Sequence, residues 1–244
     1  MVIYMDIFSL FTMLGSKPKK QLNLDERVWI SSAFSLAQAQ NQSEHIVTEL
    51  LTLASFVSGL PAYYPKGSLK TAKADSTRIH DELEQLKECL KQISYTSLSS
   101  GESYTANQLL LSMDELTGIA DHLLHIAELS KVISRQKQPL SLAALKDLRE
   151  LWDRIDTLLQ KLVEAFLKGN YITCMWMKRQ NSIIQELIKE LKKNHIKRLR
   201  NGTCSVETGM FFLELLTDCE QIAAHCTNLF DETFIMDSTE ERKG

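Results

Sequence analysis

Apolar residues recur along this chain at intervals of three and four, the period of a helix with one buried face. The runs Leu116, Ile119, Leu123, Ile126 and Cys219, Ile222, Cys226, Leu229 carry the pattern most clearly. Turn-forming residues divide the rest. One helix is expected from about Asp25 to Ser58, stopping at "GLPAYYPKG". A second covers about Lys70 to Ser94 and a third about Tyr104 to Arg135, with "SLSSGES" as the turn between them. After "KQPLS" a fourth runs from about Leu142 to Lys168 and ends at Gly169. A fifth, about Tyr171 to Arg200, ends at Asn201-Gly202 with a basic last turn that suits the helix dipole. A sixth covers about Val206 to Met236.

The third and sixth helices overlay at an offset of 103 residues. Ile119, Ala120 and His122 then fall on Ile222, Ala223 and His225, and the two apolar stripes coincide. With three helices on each side of Gln138 to Ser141, the overlay predicts an all-α fold of two tandem three-helix bundles. The expected organisation is a short apolar segment and basic linker (1–20), a first bundle (21–137), a second (138–236) and a flexible tail (237–244).

Composition agrees and narrows the function classes. The 244 residues are 44% hydrophobic and 24% charged, with only 9 glycines and 4 prolines, too few turn formers for a β-rich fold. The net charge of -3 argues against bulk attraction to nucleic acid. Five cysteines without a C-x-x-C pair give no zinc ribbon or disulfide framework, and Cys219 and Cys226 read as small core residues. The opening "VIYMDIFSLFTML" is apolar except for Asp6, yet shorter than the roughly 20 residues that cross a bilayer. Its lysines follow the apolar run, the reverse of a signal peptide. "IVTELLTLASFVSGL" is interrupted by Glu49, so the chain is not expected to form a channel or transporter by itself. No phosphate-loop, nucleophile-elbow or H-E-x-x-H motif occurs, and nothing assembles a nucleophile with its base; the reading is non-enzymatic.

One stretch is more specific. His195, Ile196, Arg198, Leu199, Gly202, Cys204, Ser205, Glu220, Ile222, His225, Cys226 and Asn228 match an H-I-x-R-L…G-x-C-S…L-E-R-I-x-D-H-C-x-N-I pattern in part. That pattern resembles the last two helices of the PhoU-like region that ends bacterial sodium/phosphate cotransporters. "LDERVWISSAFSLAQA" resembles the segment that precedes this region in them. "ELTGIADHLLHIAEL" resembles the matching helix of the first PhoU repeat, and "MDIFSLFTMLG" the start of their first membrane helix. The resemblance covers roughly residues 22 to 236 and implies a cotransporter without its membrane domain: a regulatory helical domain, cytoplasmic or peripheral at the inner membrane face. Its implied partner is a membrane phosphate transporter or transport domain, with homo-oligomers also expected. A stand-alone, metal-binding PhoU-type phosphate-signalling protein is the alternative, and a helical scaffold with decayed sites a third reading.

The resemblance also implies metal chemistry. PhoU proteins hold metal clusters on E-x-x-x-D motifs, one per repeat, whose carboxylates point the same way from i and i+4. Both motifs are broken here: Thr117 replaces the first Glu and Ala224 the second Asp. A reduced metal site in each half would use Asp121 with His122 and Glu220 with His225, holding a divalent or ferric ion weakly. Adjacent residues point about 100° apart on a helix, so each pair needs help from another helix. The plainer reading is polar residues on ordinary bundle helices. Lys192, Lys193, Lys197, Arg198 and Arg200, with Lys189, form a basic patch for an anion or membrane surface, or simply a solvated helix end. Trp152, Trp176 and Met175 read as packing residues.

Overall fold

A computed structural model of the chain describes residues 32–93, 98–168 and 171–229. The expected apolar opening segment, the start of the first helix, the end of the sixth and the tail lie outside them. Six α-helices and no strand occur among the described residues: α1 (Ser32–Ser58), α2 (Ser68–Ile93), α3 (Ser100–Ile133), α4 (Leu142–Lys168), α5 (Tyr171–Arg200) and α6 (Val206–Asn228).

Local chemistry explains the boundaries. α3 begins four residues before the expected Tyr104 because Ser99 and Glu102 form a capping box. The Glu102 N–H donates to Ser99 Oγ at 3.3 Å and the Ser99 N–H donates back to Glu102 Oε2 at 2.9 Å. Ser205 caps α6 in the same position, accepting from the Thr208 N–H at 3.1 Å. α5 closes on a Gly202 with φ +69°, where Thr203 N–H reaches Arg198 O at 3.0 Å and Gly202 N–H reaches Leu199 O at 3.1 Å. That is a Schellman ending, which favours glycine at its left-handed position.

α1, α2 and α3 pack on one another, as do α4, α5 and α6, and the two sets join through α3 against α6 and α1 against α4. All six helices feed one continuous core, running from Leu36 through Leu162 to Leu229. The two stripes read in the sequence, Leu116, Ile119, Leu123 and Ile126 on α3 and Cys219, Ile222, Cys226 and Leu229 on α6, are all buried in that core, and the two helices pack on each other. Trp152 is buried and Trp176 packs against the core, as expected, whereas Met175 is exposed.

Burial pushes the thiols of Cys219 and Cys226 well above the ordinary range, leaving them protonated and shielded. Cys89 and Cys204 are only half-buried. Alkylation at neutral pH should therefore modify Cys89 and Cys204 in the folded protein and reach Cys219 and Cys226 only on unfolding, as peptide mass mapping would show. Rapid native labelling of the second pair would mean that the α3–α6 seam opens.

Candidate functional site: a crossed histidine–carboxylate seam

Polar residues flank the apolar contact of α3 and α6 on both sides, and they pair crosswise. His225 Nδ1 on α6 lies 2.7 Å from Glu115 Oε2 on α3, and the Asn228 side-chain amide donates to the same oxygen at 3.2 Å. In the opposite sense, Asp218 on α6 faces two histidines of α3. His122 Nδ1 lies 2.9 Å from its Oδ1, and His125 Nδ1 lies 2.9 Å from its Oδ2. Each geometry suits an Nδ1–H donating to the carboxylate. The rings of His122 and His225 meet in the middle, their centroids 5.5 Å apart and tilted by 36°.

The arrangement is a pseudo-twofold. The offset that overlays His122 on His225 also carries Glu115 onto Asp218 and His125 onto Asn228. Each helix thus contributes a carboxylate and, seven residues later, a histidine that meets the other helix's carboxylate. Asp218 is the more demanding member, with its side chain only 5% exposed. A carboxylate that far from water is stable only when its oxygens are hydrogen-bonded, and both of these are. Gly118 makes room for the pairing: a Cβ there would sit 2.5 Å from Cε1 and Nε2 of His225.

The residues nominated from sequence are divided by this geometry. His122 and His225 serve the seam, while Asp121 and Glu220 turn to other helices. Asp121, 63% exposed, accepts from His80 Nε2 of α2 at 3.0 Å. Glu220 pairs with Lys192 of α5 at 3.1 Å. Thr117 donates back to the Met113 carbonyl at 2.8 Å. The helical twist of about 100° between neighbours sends Asp121 and His122 apart. Among the described residues, neither nominated pair gathers three histidine, cysteine or carboxylate donors around a point. The basic patch is likewise thinned. Lys192 is engaged with Glu220, Lys189 with Glu186, and Arg198 with Asp147 at 2.6 Å, which leaves Lys193, Lys197 and Arg200 exposed.

Glu115 and Asp218 were not singled out by the sequence reading, and His125 stands out there only for sharing one helical face with Thr117 and Asp121. The signal was present in the overlay, which matches acid with acid at this position, but only the fold shows that each acid meets the other helix's histidine.

His195 forms a second polar contact within the α5–α6 pair. It is 1% exposed, lies 5.0 Å from the Phe212 ring centroid, and packs so tightly that a Cβ on Gly209 would come within 2.8 Å of it. Neither ring nitrogen has a hydrogen-bond partner. Arg198 lies over the same Phe212 ring, 5.0 Å from its centroid. Burial, and then the Arg198 charge, lower the His195 pKa from its usual 6.5.

Comparison with known proteins identifies the fold. No protein-family model matches the chain. The structure superposes on PhoU from Pseudomonas aeruginosa with a TM-score of 0.77 at 10% identity, covering 84% of this chain and 98% of that one. It superposes on the phosphate transport system regulatory protein PhoU from Streptococcus pneumoniae with a TM-score of 0.76 at 14% identity, covering 86% and 98%. The chain is therefore an all-α protein of PhoU-like fold. In sequence it is 22% identical over 135 residues to the phosphate-specific transport system accessory protein PhoU homolog 1 of Thermotoga maritima. That match spans 55% of this chain and 57% of the relative, so little more than half of the relative is covered. All three are named as PhoU proteins; the cotransporter context implied by the motifs gains no support from them.

Two expectations follow. Gly118→Ala improves helix propensity by about 1 kcal/mol, but it must displace His225 from Glu115, a charge-assisted bond worth about 1.5–3 kcal/mol. The substitution should destabilise the native protein by about 1 kcal/mol and stabilise a His225→Ala background by a similar amount. Urea titration of the four proteins of this cycle reads the coupling; additive effects would mean that His225 is not held as described. For His195, the lowered folded pKa means that the unfolded chain takes up a proton first as pH falls through about 6.5. Stability should thus drop below that pH, at most by about 1.4 kcal/mol per unit from this one group. His195→Leu should remove that share of the acid slope in urea midpoints measured between about pH 7.5 and about pH 5.5. An unchanged slope would show that His195 titrates alike in both states.

Proposed function

We propose that this chain is a non-enzymatic, PhoU-type regulator of phosphate transport, acting through contact with a component of the transport machinery on the cytoplasmic side of the membrane. The observation that carries the reading is the extent of the structural likeness: it takes in 98% of each of two PhoU chains, at TM-scores of 0.77 and 0.76. The sequence relative supports the same direction, being named an accessory protein of a phosphate-specific transport system. No described helix is long and apolar enough to cross a membrane. The described residues fit a part that regulates transport from outside the bilayer better than one that forms the path.

The second reading, a regulatory domain of the sodium/phosphate cotransporter type, is favoured by one feature, the motif residues from His195 to Asn228. The weakly held metal at Asp121 and Glu220 is less favoured, since His80 and Lys192 already occupy those carboxylates. The three exposed cations Lys193, Lys197 and Arg200 are the part of the basic patch available to a partner or membrane surface.

Deleting the gene and measuring phosphate uptake and phosphate-responsive gene expression, at low and high phosphate, tests both readings. Altered phosphate control that is independent of sodium supports the PhoU reading. A change confined to sodium-dependent uptake favours the cotransporter reading. Unaltered uptake and expression in both conditions would overturn the regulatory function itself.

A further inference from the structure

We propose that His45, Glu49 and Glu82 form a divalent transition-metal site between α1 and α2, away from the motif positions on α3 and α6. His45 and Glu49 are four residues apart on α1 and so share a face. α2 brings Glu82 to the same point. His45 Nδ1 lies 3.5 Å from Glu82 Oε2, and His45 Nε2 lies 4.0 Å from Glu49 Oε1. One donor atom from each residue can be chosen so that all three lie within 4.8 Å of one another.

The donors must draw together to hold a metal, since the two distances above involve different nitrogens of His45. Tetrahedral ligands on bonds of about 2.0–2.1 Å stand about 3.4 Å apart. His45, 58% exposed, is free to turn so that one ring nitrogen serves the ion while the three donors, now within 4.8 Å of one another, draw together. The mixture of one imidazole with two carboxylates suits zinc, manganese or ferrous ions better than calcium or magnesium, which favour oxygen alone. Exposure on the histidine side leaves the remaining coordination positions to water.

A second observation points to a missing positive charge. Glu49 is only 16% exposed, and its Oε2 is buried with no hydrogen-bond partner. Its other oxygen accepts from the Arg78 guanidinium. The Gln42 side-chain amide donates to Glu82 Oε2 at 2.9 Å. Two half-shielded carboxylates thus face a single full cation, and one carboxylate oxygen is left unused. Arg78 stands where a metal would compete, and it has a place to go: its Nη2 already contacts Asp75 Oδ1 at 3.2 Å. Metal binding would release Arg78 from Glu49 onto Asp75.

The test is titration of the chelator-stripped full chain with Zn²⁺ by calorimetry and with Co²⁺ by visible absorption. One saturable equivalent is expected, with Co²⁺ bands in the tetrahedral or five-coordinate range. His45→Ala and Glu82→Gln should each weaken binding by about tenfold or more. Arg78→Ala should tighten it by removing the competing cation, a gain that general damage to the fold would not produce. The double substitution Asp121→Asn, Glu220→Gln should leave binding as it is. Absence of saturable binding overturns the site, as does binding that survives His45→Ala or that weakens in Arg78→Ala. The regulatory reading above would stand in either case, because it rests on the fold and not on this metal.

Discussion

Asp218 is the residue on which the arrangement of the molecule turns. A carboxylate buried on α6 needs hydrogen-bond donors, and its own helix supplies none: the donors come from His122 and His125, nearly a hundred residues earlier on α3. Glu115 and His225 repeat the contact in the opposite direction. Apolar stripes alone would hold two helices together at several registers, since each step of three or four residues presents another similar surface. Two crossed polar contacts fix one register, because sliding either helix by a turn would strand a shielded charge. The seam therefore sets how one three-helix set lies on the other, and the continuous core follows from that placement.

The same constraint turns the conspicuous histidines of the two repeats away from the acids nominated beside them. His122 and His225 direct Nδ1 into the seam, while the acids beside them, or five residues before them, lie on different faces. A motif that reads as one site along the sequence is split by helical geometry between an internal contact and an outer surface. Gly118 is part of the same solution, since only its missing side chain lets the His225 ring reach Glu115.

Much of the fold is legible in the residues themselves. The bounds of α4 and α5 and the start of α6 follow from Pro139, Gly169, Gly202 and the Ser205 cap, all local signals. The stripes of α3 and α6 are legible because burial repeats with the helical period. The early start of α3 is a local signal too, but the pair Ser99 and Glu102 is easily masked by the neighbouring Gly101, which looks like a turn. The site is less legible, for a physical reason. A hydrogen bond between residues 96 or 110 positions apart depends on how two bundles dock, and no local pattern encodes docking. The repeat offset comes nearest: a pseudo-twofold dimer-like contact must pair each position with the other helix's counterpart, so a matched acid and a matched histidine in both repeats hint at crossing. The His45, Glu49 and Glu82 cluster is harder still. Its first two members show a readable spacing, but the third arrives only through the packing of α2 on α1.

The carboxylates on the outer faces share a further property. Asp121 is met by His80, Glu220 by Lys192, Asp114 by Lys87 and Glu49 by Arg78, each a basic side chain from the adjacent helix. Exposed pairs of this kind contribute little to stability. Their larger effect is on what else can bind: a metal arriving at such a carboxylate must first displace a tethered base whose local concentration is fixed by the fold. Glu49 differs from the others in one respect, for its second oxygen is both buried and unmatched. Among these four acids the balance between the built-in cation and an external one is therefore closest at Glu49.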